Sequence, residues 1–316
     1  MRTQAREDEP SVGGHRDSGP ERPDRASAEP DTKPAQVTTG RVARWFGSCF
    51  YACGSYGLPT AVDCDGRSYV LVKVLKHDFM AGTGLYDLAD ADAAGPRKVI
   101  CKINRRTHFC FVPLRWLGRL VTCKEVRNLQ RCEGISGVPR VLARTSPTAY
   151  IYEYIEGTSL DRKPALPPAF FEKLLAVLQQ IHARGLVHFD LHKRGNILVG
   201  DDGQPWIIDF QLSTHIGDRC LLSRRLSAAL RRRLQAYDFY HLYKHKRRFL
   251  PAELTEAEER LSRDNSLPLR LHRAVAGPLK QVRRRCLQHL HAKGILSDTH
   301  GARAHTETNP VRWTGK

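Results

Sequence analysis

The 316-residue sequence predicts an α+β protein of two lobes, a small β-rich N-lobe followed by a larger helical C-lobe. Three observations support this fold class. Short apolar runs separated by turn residues dominate up to about residue 155, a long amphipathic helix pattern follows, and the pattern after Leu221 is helical throughout. No internal repeat is visible, and no apolar run is long enough to span a membrane.

The first part of the chain has the composition of a disordered segment. Residues 1–40 contain five prolines, 6 Lys/Arg and 8 Asp/Glu, and almost no large apolar side chains that could offset chain entropy. We therefore expect disorder over 1–42, an N-lobe over 43–155, a C-lobe over 156–292 and a poorly ordered tail over 293–316. The N-terminus lacks the apolar core of a secretory signal, so we expect a cytoplasmic protein.

The predicted N-lobe reads as strands with one helix. The stretches PTAVDC and SYVLVKVLKHD predict two strands joined by a tight turn at Asp65-Gly66. FMAGTGLYDL is interpreted as a glycine-containing loop, and KVICKINRR as a further strand. The segment 120–132 has helical spacing with Val126 and Leu129 on one side, and TAYIYEYIEG predicts a strand that runs into a turn.

The predicted C-lobe starts with the helix PPAFFEKLLAVLQQIHARG, which ends near Gly185. Its apolar stripe consists of Phe170, Phe171, Leu174, Leu175, Leu178 and Ile181. Two short strands, ILV and WIID, follow and are turned by 201–203. A later helix begins with the capping-box pattern of Thr255 and Glu258.

The chain is most apolar over residues 186–210, which read LVHFDLHKRGNILVGDDGQPWIIDF. This stretch nevertheless contains four polar residues, His188, Asp190, Asn196 and Asp209. Polar groups are costly to bury without a partner, so their presence here needs a reason. One alternative is that they are the capping and turn residues of an ordinary hairpin. The order of the elements around them points to a more specific interpretation.

A long amphipathic helix, an H-x-D loop, an Asn that opens a strand, a hairpin and an apolar strand ending in Asp-Phe resemble the catalytic core of the protein-kinase-like superfamily. The resemblance implies that Asp190 accepts or orients the proton of the attacking hydroxyl, that His188 braces the loop, and that Asn196 and Asp209 hold Mg²⁺ on ATP. Phosphoryl transfer mainly requires positioning and neutralisation of charge, which rigid carboxylates above a packed core can supply.

The same resemblance requires a lysine on a strand and a glutamate on the next helix. Lys102 lies within the apolar strand V-I-C-K-I, and Glu125 follows in VTCKEVRNL. Lys98 and Lys124 are weaker candidates. The alternatives are an outward-facing strand lysine and a glutamate on a helix surface.

Two further parts of a nucleotide site are implied less specifically. Gly82 and Gly84 in MAGTGLY lack the full G-x-G-x-x-G pattern, but their backbone amides could cover phosphates. The alternative is an ordinary flexible loop. Glu153 and Ile155, in IYEYIEG, correspond to the hinge where backbone groups would meet adenine.

The catalytic loop has one unusual spacing. Five residues separate Asp190 from Asn196, whereas kinase-like loops usually have four. We expect Gly195 to absorb the extra residue in a conformation closed to other residues, with Lys193 and Arg194 directed towards the transferred phosphate or an anionic acceptor.

Some kinase motifs are present in the chain and others are lacking, and together they indicate a subgroup of the kinase-like superfamily. The chain lacks an A-P-E motif, and Gln211 replaces the glycine after Asp209-Phe210. D-L-H resembles the corresponding stretch of lipopolysaccharide core and Kdo kinases, RIO-type kinases and aminoglycoside phosphotransferases. Among these groups, KVICKINRR makes the chain most similar to the bacterial lipopolysaccharide-kinase-like group, over roughly residues 68–250. This implies phosphate transfer from ATP to a hydroxyl of a lipopolysaccharide-core-type sugar. The alternatives are a compact serine/threonine protein kinase and a non-catalytic scaffold or polyanion-binding module.

Asp238 would brace the catalytic loop or lie on a helix surface.

The net charge of +18 is concentrated near the C-terminus, where residues 219–286 hold 18 Lys/Arg against 6 Asp/Glu. This block predicts a polyanionic partner, either a phosphosugar or glycolipid acceptor or an anionic membrane surface contacted peripherally. A solvated helical face is the alternative, and nucleic acid is less expected because no recognisable RNA- or DNA-binding motif accompanies the arginines. The nine cysteines suit reduced thiols, and the sequence does not specify an oligomeric state.

Overall fold

The computed structural model describes five stretches of the chain: 49–54, 57–90, 95–109, 112–217 and 224–263. They form a mixed arrangement of a sheet-rich region followed by a helical part, in agreement with the predicted α+β class. The predictions for the terminal segments 1–42 and 293–316 lie outside the described residues. The same is true of the basic block beyond residue 263.

The sheet-rich region is built around a six-stranded antiparallel sheet in the order β1-β2-β3-β4-β8-β7. Its strands are β1 (Ala61–Cys64), β2 (Arg67–His77), β3 (Ala81–Leu88), β4 (Lys98–Asn104), β7 (Val141–Ser146) and β8 (Ala149–Glu153). A separate short hairpin consists of β5 (His108–Phe109) and β6 (Val112–Pro113). The hairpin of β1 and β2 and the strand KVICKIN were predicted, and the structure confirms them.

The predicted glycine-containing loop is wrong, because FMAGTGLYDL forms strand β3 from Ala81 onwards. Gly82 pairs with Ile103 and Gly84 with Cys101 in the neighbouring strand β4. A Cβ atom on Gly84 would lie 2.8 Å from the side chains of Leu58, Leu71 and Tyr86. The glycines are therefore required by the packing of this sheet face and do not form a loop over a ligand.

One helix, α1 (Arg115–Arg131), lies between β6 and β7 and begins five residues earlier than predicted. Val126 and Leu129 are buried, as their spacing predicted. Gly118 allows the helix to approach the backbone of Arg105, because a Cβ atom there would lie 1.8 Å from the Arg105 carbonyl oxygen. This close contact fixes α1 against the end of β4.

The helical part starts with α2 (Phe170–Ala183), whose predicted stripe is confirmed except that Leu175 is only half-buried. The short strands around it are β9 (Gly157–Ser159), β10 (Leu186–Val187), β11 (Ile197–Gly200), β12 (Pro205–Ile207) and β13 (Thr214–His215). The strands β11 and β12 form the predicted hairpin. The core of this part packs α2 against that hairpin, α1 and Leu242.

Two further helices are α3 (Arg224–Phe249) and α4 (Glu256–Arg263). The predicted capping box is confirmed: the Thr255 N–H donates to Glu258 Oε2 at 2.9 Å, and the Glu258 N–H donates to Thr255 Oγ1 at 3.3 Å. None of the helices in the described stretches has the length and apolar character needed to cross a bilayer.

The cysteines that the structure describes are Cys49, Cys53, Cys64, Cys101, Cys123 and Cys132, and all six are free thiols. Burial raises the pKa of Cys53 to about 11 and that of Cys101 to about 12. Thiols with such pKa values remain protonated and poorly nucleophilic, which agrees with a structural role.

Candidate active site

Lys102 is the centre of the candidate site. Its Nζ atom donates to Glu125 Oε1 at 2.6 Å and to Asp209 Oδ1 at 2.8 Å, which joins strand β4, helix α1 and the segment after β12. Burial alone would favour the neutral amine, but the carboxylates of Asp209 and Glu125 outweigh it and hold the pKa of Lys102 above its ordinary value. The lysine is therefore charged and lies between two acids. The pairing with Glu125 is the one that the resemblance implied, whereas the contact with Asp209 was not predicted.

Asp209 lies directly above the core in an unusual backbone conformation. Its φ of 62° falls in the left-handed region, which is costly for a residue other than glycine. Burial would raise the pKa of its carboxyl, but the cations Lys102 and Lys76 outweigh that effect and hold the pKa well below its ordinary value. The side chain is still 21% exposed, so an ionised carboxylate faces the solvent side of the cluster.

Asp190 and Asn196 form the second half of the site. Asn196 Nδ2 donates to Asp190 Oδ2 at 3.0 Å and to the Asp190 carbonyl oxygen at 3.1 Å. Lys193 Nζ donates to the same Oδ2 at 2.8 Å, whereas Asp190 Oδ1 lies 3.2 Å from His192 Nδ1 without hydrogen-bond geometry. The charge of Lys193 also lowers the pKa of Asp209, so the two halves of the site share one electrostatic field.

His188 is fully buried and connects the loop to the hairpin. Its Nε2 lies 3.2 Å from the Ile208 carbonyl oxygen, and its Nδ1 accepts a hydrogen bond from the Asp190 N–H at 3.3 Å. These partners assign the hydrogen to Nε2, since Nδ1 serves as an acceptor. His188 therefore contacts both the loop and the hairpin, and its role in bracing the loop stays a prediction.

Helix α3 holds the backbone of the catalytic loop through hydrogen bonds. Asp238, predicted to lie either under the catalytic loop or on a helix surface, is buried and accepts hydrogen bonds from the N–H groups of His188 and Phe189. His245 on the same helix lies 2.8 Å from the Leu191 carbonyl oxygen. Helix α3 therefore fixes this stretch of the loop at several points.

The extra residue in the loop is not absorbed as predicted. Gly195 does not adopt a left-handed conformation, and 194–196 instead form one turn of 3₁₀ helix in which the Asn196 N–H donates to the Lys193 carbonyl oxygen. The left-handed residue of the loop is Phe189, with φ 65°. A tight helical turn takes up the additional length, so glycine is not needed for that purpose.

Two residues near the site were missed by the sequence reasoning. Lys76, near the end of β2, pairs with Asp78 at 2.9 Å, and its charge contributes to the lowered pKa of Asp209. Asp78 Oδ1 accepts hydrogen bonds from the N–H of Met80, in the turn before β3, and from the N–H of Ala81, the first residue of β3. Burial would raise the pKa of Asp78, but Lys76 and these N–H donors lower it, so its carboxylate is ionised.

The other predicted site residues are two glycines and two residues of the expected hinge. Gly82 and Gly84 pair with strand β4 and pack near Leu58, so they do not belong to a loop over the cluster. The Glu153 N–H already donates to the Arg140 carbonyl oxygen at 2.9 Å, and Ile155 is a buried apolar residue. An adenine contact at 153–155 stays a prediction.

The donor atoms near Asp209 suit a hard cation that completes its coordination with other oxygens. The described residues contain no group of three His, Cys, Asp or Glu side chains that could bind a metal by themselves. One ionised carboxylate and one amide oxygen, from Asp209 and Asn196, are instead ligands of the type that Mg²⁺ uses together with phosphate oxygens and water.

Comparison with known proteins gives weak matches to two relatives. No family model matches the chain. The chain is 28% identical over 164 residues to Sperm motility kinase 3A and to Sperm motility kinase 3B of Mus musculus, and this region covers 49% of the chain and 30% of each relative. The matched region therefore spans less than a third of these curated relatives. The similarity supports a place in the protein-kinase-like superfamily and, at that general level, phosphotransferase chemistry.

Proposed function

We propose that this chain is an ATP-dependent phosphotransferase that transfers the γ-phosphate to a hydroxyl group, and that its fold is of the bilobal kinase-like type. The observation that carries the proposal is the lysine bridge of the candidate site. Lys102 contacts Glu125 on the next helix and Asp209 more than a hundred residues later, in the pattern expected of a phosphate-binding lysine.

The roles of the residues follow from their positions. Lys102 neutralises phosphate charge, and Glu125 holds its ammonium group in place. Asp190 orients the acceptor hydroxyl and accepts its proton, while Asn196 and Lys193 fix the direction of the Asp190 carboxylate through their hydrogen bonds. Lys193 also places a positive charge beside the position where the transferred phosphate would pass.

Mg²⁺ fits the donor set of Asn196 and Asp209. The lowered pKa of Asp209 keeps its carboxylate ionised at neutral pH, and the two Nδ2 hydrogen bonds of Asn196 leave its amide oxygen as the atom suited to a cation. When bound, the ion neutralises phosphate charge during transfer and orients the phosphate oxygens.

The acceptor we propose is a hydroxyl of an anionic sugar of the lipopolysaccharide-core type. The D-L-H sequence supports this proposal. The ion pair of Lys193 with Asp190 also supports it, because it places a cation beside the proposed catalytic base. A protein hydroxyl is the other acceptor that the same chemistry allows. Peripheral contact with an anionic membrane surface is part of the sugar proposal.

One observation favours a second candidate, a non-catalytic kinase-like module. The carboxylate of Asp78 occupies the N–H groups of Met80 and Ala81, in the turn between the two strands that precede the Lys102 strand. An acid in that turn repels phosphate unless Lys76 compensates for it. Direct measurement of nucleotide binding separates the two candidates.

The test is phosphate transfer from labelled ATP by the purified full chain, offered lipopolysaccharide core fragments, a generic protein substrate and aminoglycosides in parallel. Asp190→Ala and Asp209→Ala should each abolish turnover, and Asp209→Ala should also abolish Mg²⁺-dependent nucleotide binding. Asp63→Ala, which removes an exposed carboxylate on β1, is the matched control and should retain activity. Full turnover by either site variant, or no Mg²⁺-dependent ATP binding by the unmodified chain, would reject the enzyme.

A further inference from the structure

Two adjoining clefts lie away from the candidate active site. One, of about 800 Å³, opens between the end of α2, strand β13 and the first half of α3. The other, of about 530 Å³, lies along α1, and both are lined by His215. Their basic lining residues, which together define the arginine cleft, are Lys124, Arg127, Arg131, Arg184, Arg231 and Arg232.

The lining of the arginine cleft is one-sided in charge. Among the described residues, no Asp or Glu lines either cavity, although six Lys and Arg side chains do. Burial lowers the pKa of Lys124, although neighbouring Glu125 opposes the shift. Clustered cations repel each other, so such a surface gains free energy when an anion binds to it.

Two of the arginines are held in place by backbone groups. Arg184 Nη1 donates to the Arg131 carbonyl oxygen at 2.7 Å, and Arg231 Nη1 donates to the Ile216 carbonyl oxygen at 3.0 Å. A guanidinium group is planar and has five N–H donors, and these bonds fix the orientation of the two groups in the lining of the cleft. Preorganised planar donors of this kind suit the bidentate recognition of phosphate.

We propose that the arginine cleft binds a small, multiply phosphorylated anion. The cavity volumes are those of small-molecule sites, and five of the six cations are arginines. The described lining contains no Phe, Tyr or Trp on which nucleic acid bases could stack. Only Leu120 among the large aliphatic residues lines it, which argues against insertion into a bilayer.

The position of the arginine cleft connects it to the Lys102 cluster. Its α1 residues flank Glu125, the partner of Lys102, and Asn128 on the same helix donates to Ser213 Oγ at 2.9 Å, just before β13. An anion that bridges α1 and α3 would therefore stabilise the helix that carries Glu125. We expect bound phosphate to raise the melting temperature of the chain.

The test is isothermal titration calorimetry of the full chain with sodium tripolyphosphate at low salt. The double variant R127Q/R232Q should weaken binding by about tenfold or more, because it removes two of the six cations that line the cleft. The double variant R97Q/R248Q removes the same charge from exposed positions outside the cleft and should change the affinity by less than about twofold.

A third variant excludes binding in the candidate active site. Lys76→Gln removes a cation beside Asp209, and it should leave the tightest tripolyphosphate site unchanged. The proposal is overturned if the unmodified chain binds no tripolyphosphate, if both double variants lose affinity equally, or if only Lys76→Gln loses it. Binding of a single-stranded RNA or of anionic vesicles without tripolyphosphate binding would equally overturn it.

Discussion

The backbone N–H of His188 donates a 2.7 Å hydrogen bond to Asp238 Oδ2, a buried carboxylate that follows it by 50 residues. The second oxygen of Asp238 accepts from the N–H of Phe189 at 2.9 Å, and His182 Nε2 lies 3.0 Å from Oδ2. Phe189 has a left-handed φ of 65°, so the carboxylate stabilises a strained stretch of backbone. The position of Asp190 in the loop therefore depends on helix α3.

Asp238→Asn should lower the free energy of unfolding by about 2–3 kcal/mol, because one of the two acceptor oxygens becomes an NH₂ group that faces a backbone N–H. Urea denaturation monitored by circular dichroism measures the change. Glu133→Gln, an exposed carboxylate at the end of α1, is the matched control and should shift stability by less than about 0.5 kcal/mol. Equal stability of the two variants would show that Asp238 does not hold the loop.

Gly84→Ala should destabilise the sheet by about 1–3 kcal/mol, because the added methyl group would lie 2.8 Å from Leu58, Leu71 and Tyr86. The Michaelis constant for ATP should stay unchanged, since Gly84 lies within β3 and not in a loop over a ligand. Thermal melting and steady-state kinetics measure the two effects. A raised constant for ATP at unchanged stability would restore the phosphate-loop role that the sequence suggested.

Much of the architecture could be predicted from local sequence pattern. The helices α1 and α2, the hairpin of β11 and β12 and the capping box before α4 each depend on periodicity or on residues close in sequence. The choice of Lys102 and Glu125 came from the resemblance to the kinase-like superfamily, and the structure brings these two side chains together.

What the sequence missed depends on contacts between distant segments. Gly82 and Gly84 looked like a loop because the residue that requires their small size, Leu58, lies on another part of the chain. Lys76 and Asp78 were not singled out, because polar residues are common in strands and turns. Nothing in the sequence around them indicates that they lie near Asp209. The 3₁₀ turn at 194–196 is different, because a local hydrogen bond from the Asn196 N–H to the Lys193 carbonyl oxygen closes it.

Lys102→Met should cost about 3–5 kcal/mol of stability without nucleotide, because Glu125 is only 1% exposed and would lose its cation. The double variant Lys102→Met/Glu125→Gln should recover part of that loss by removing the unpaired charge. Denaturant melts of both single variants and of the double variant give the coupling free energy. Strictly additive effects would mean that the pair contributes no coupling.

Asp78→Asn should strengthen the binding of ATP several-fold. The substitution removes a negative charge from the turn before β3 and releases the ammonium group of Lys76 from its 2.9 Å ion pair. Calorimetric titration with Mg-ATP measures the affinity, and Asp87→Asn, which lies at the far end of β3, serves as the control. Weaker binding by Asp78→Asn would indicate that Asp78 belongs to the metal or nucleotide site.

The buried imidazole of His245 should make the stability of the chain depend on pH. Burial lowers its pKa from 6.5 to about 4, although the hydrogen bond to the Leu191 carbonyl oxygen opposes the shift. Between these two values the unfolded chain binds a proton that the folded chain rejects, so the contribution of His245 to stability is present above about pH 6.5 and is lost as the pH falls towards 4. The loss amounts to about 3 kcal/mol at most.

His245→Gln should remove this part of the pH dependence, because glutamine can donate to the same carbonyl oxygen but does not titrate. We expect the stability difference between the unmodified chain and the variant to change by up to about 3 kcal/mol between pH 7 and pH 4 in favour of the variant. Urea melts across this range measure it, and His108→Gln, at an exposed position in β5, should keep the pH profile of the unmodified chain. Parallel pH profiles for His245→Gln and the unmodified chain would show that His245 is protonated in the folded state as readily as in the unfolded one. In that case a neutral imidazole would not be the group that contacts the Leu191 carbonyl oxygen.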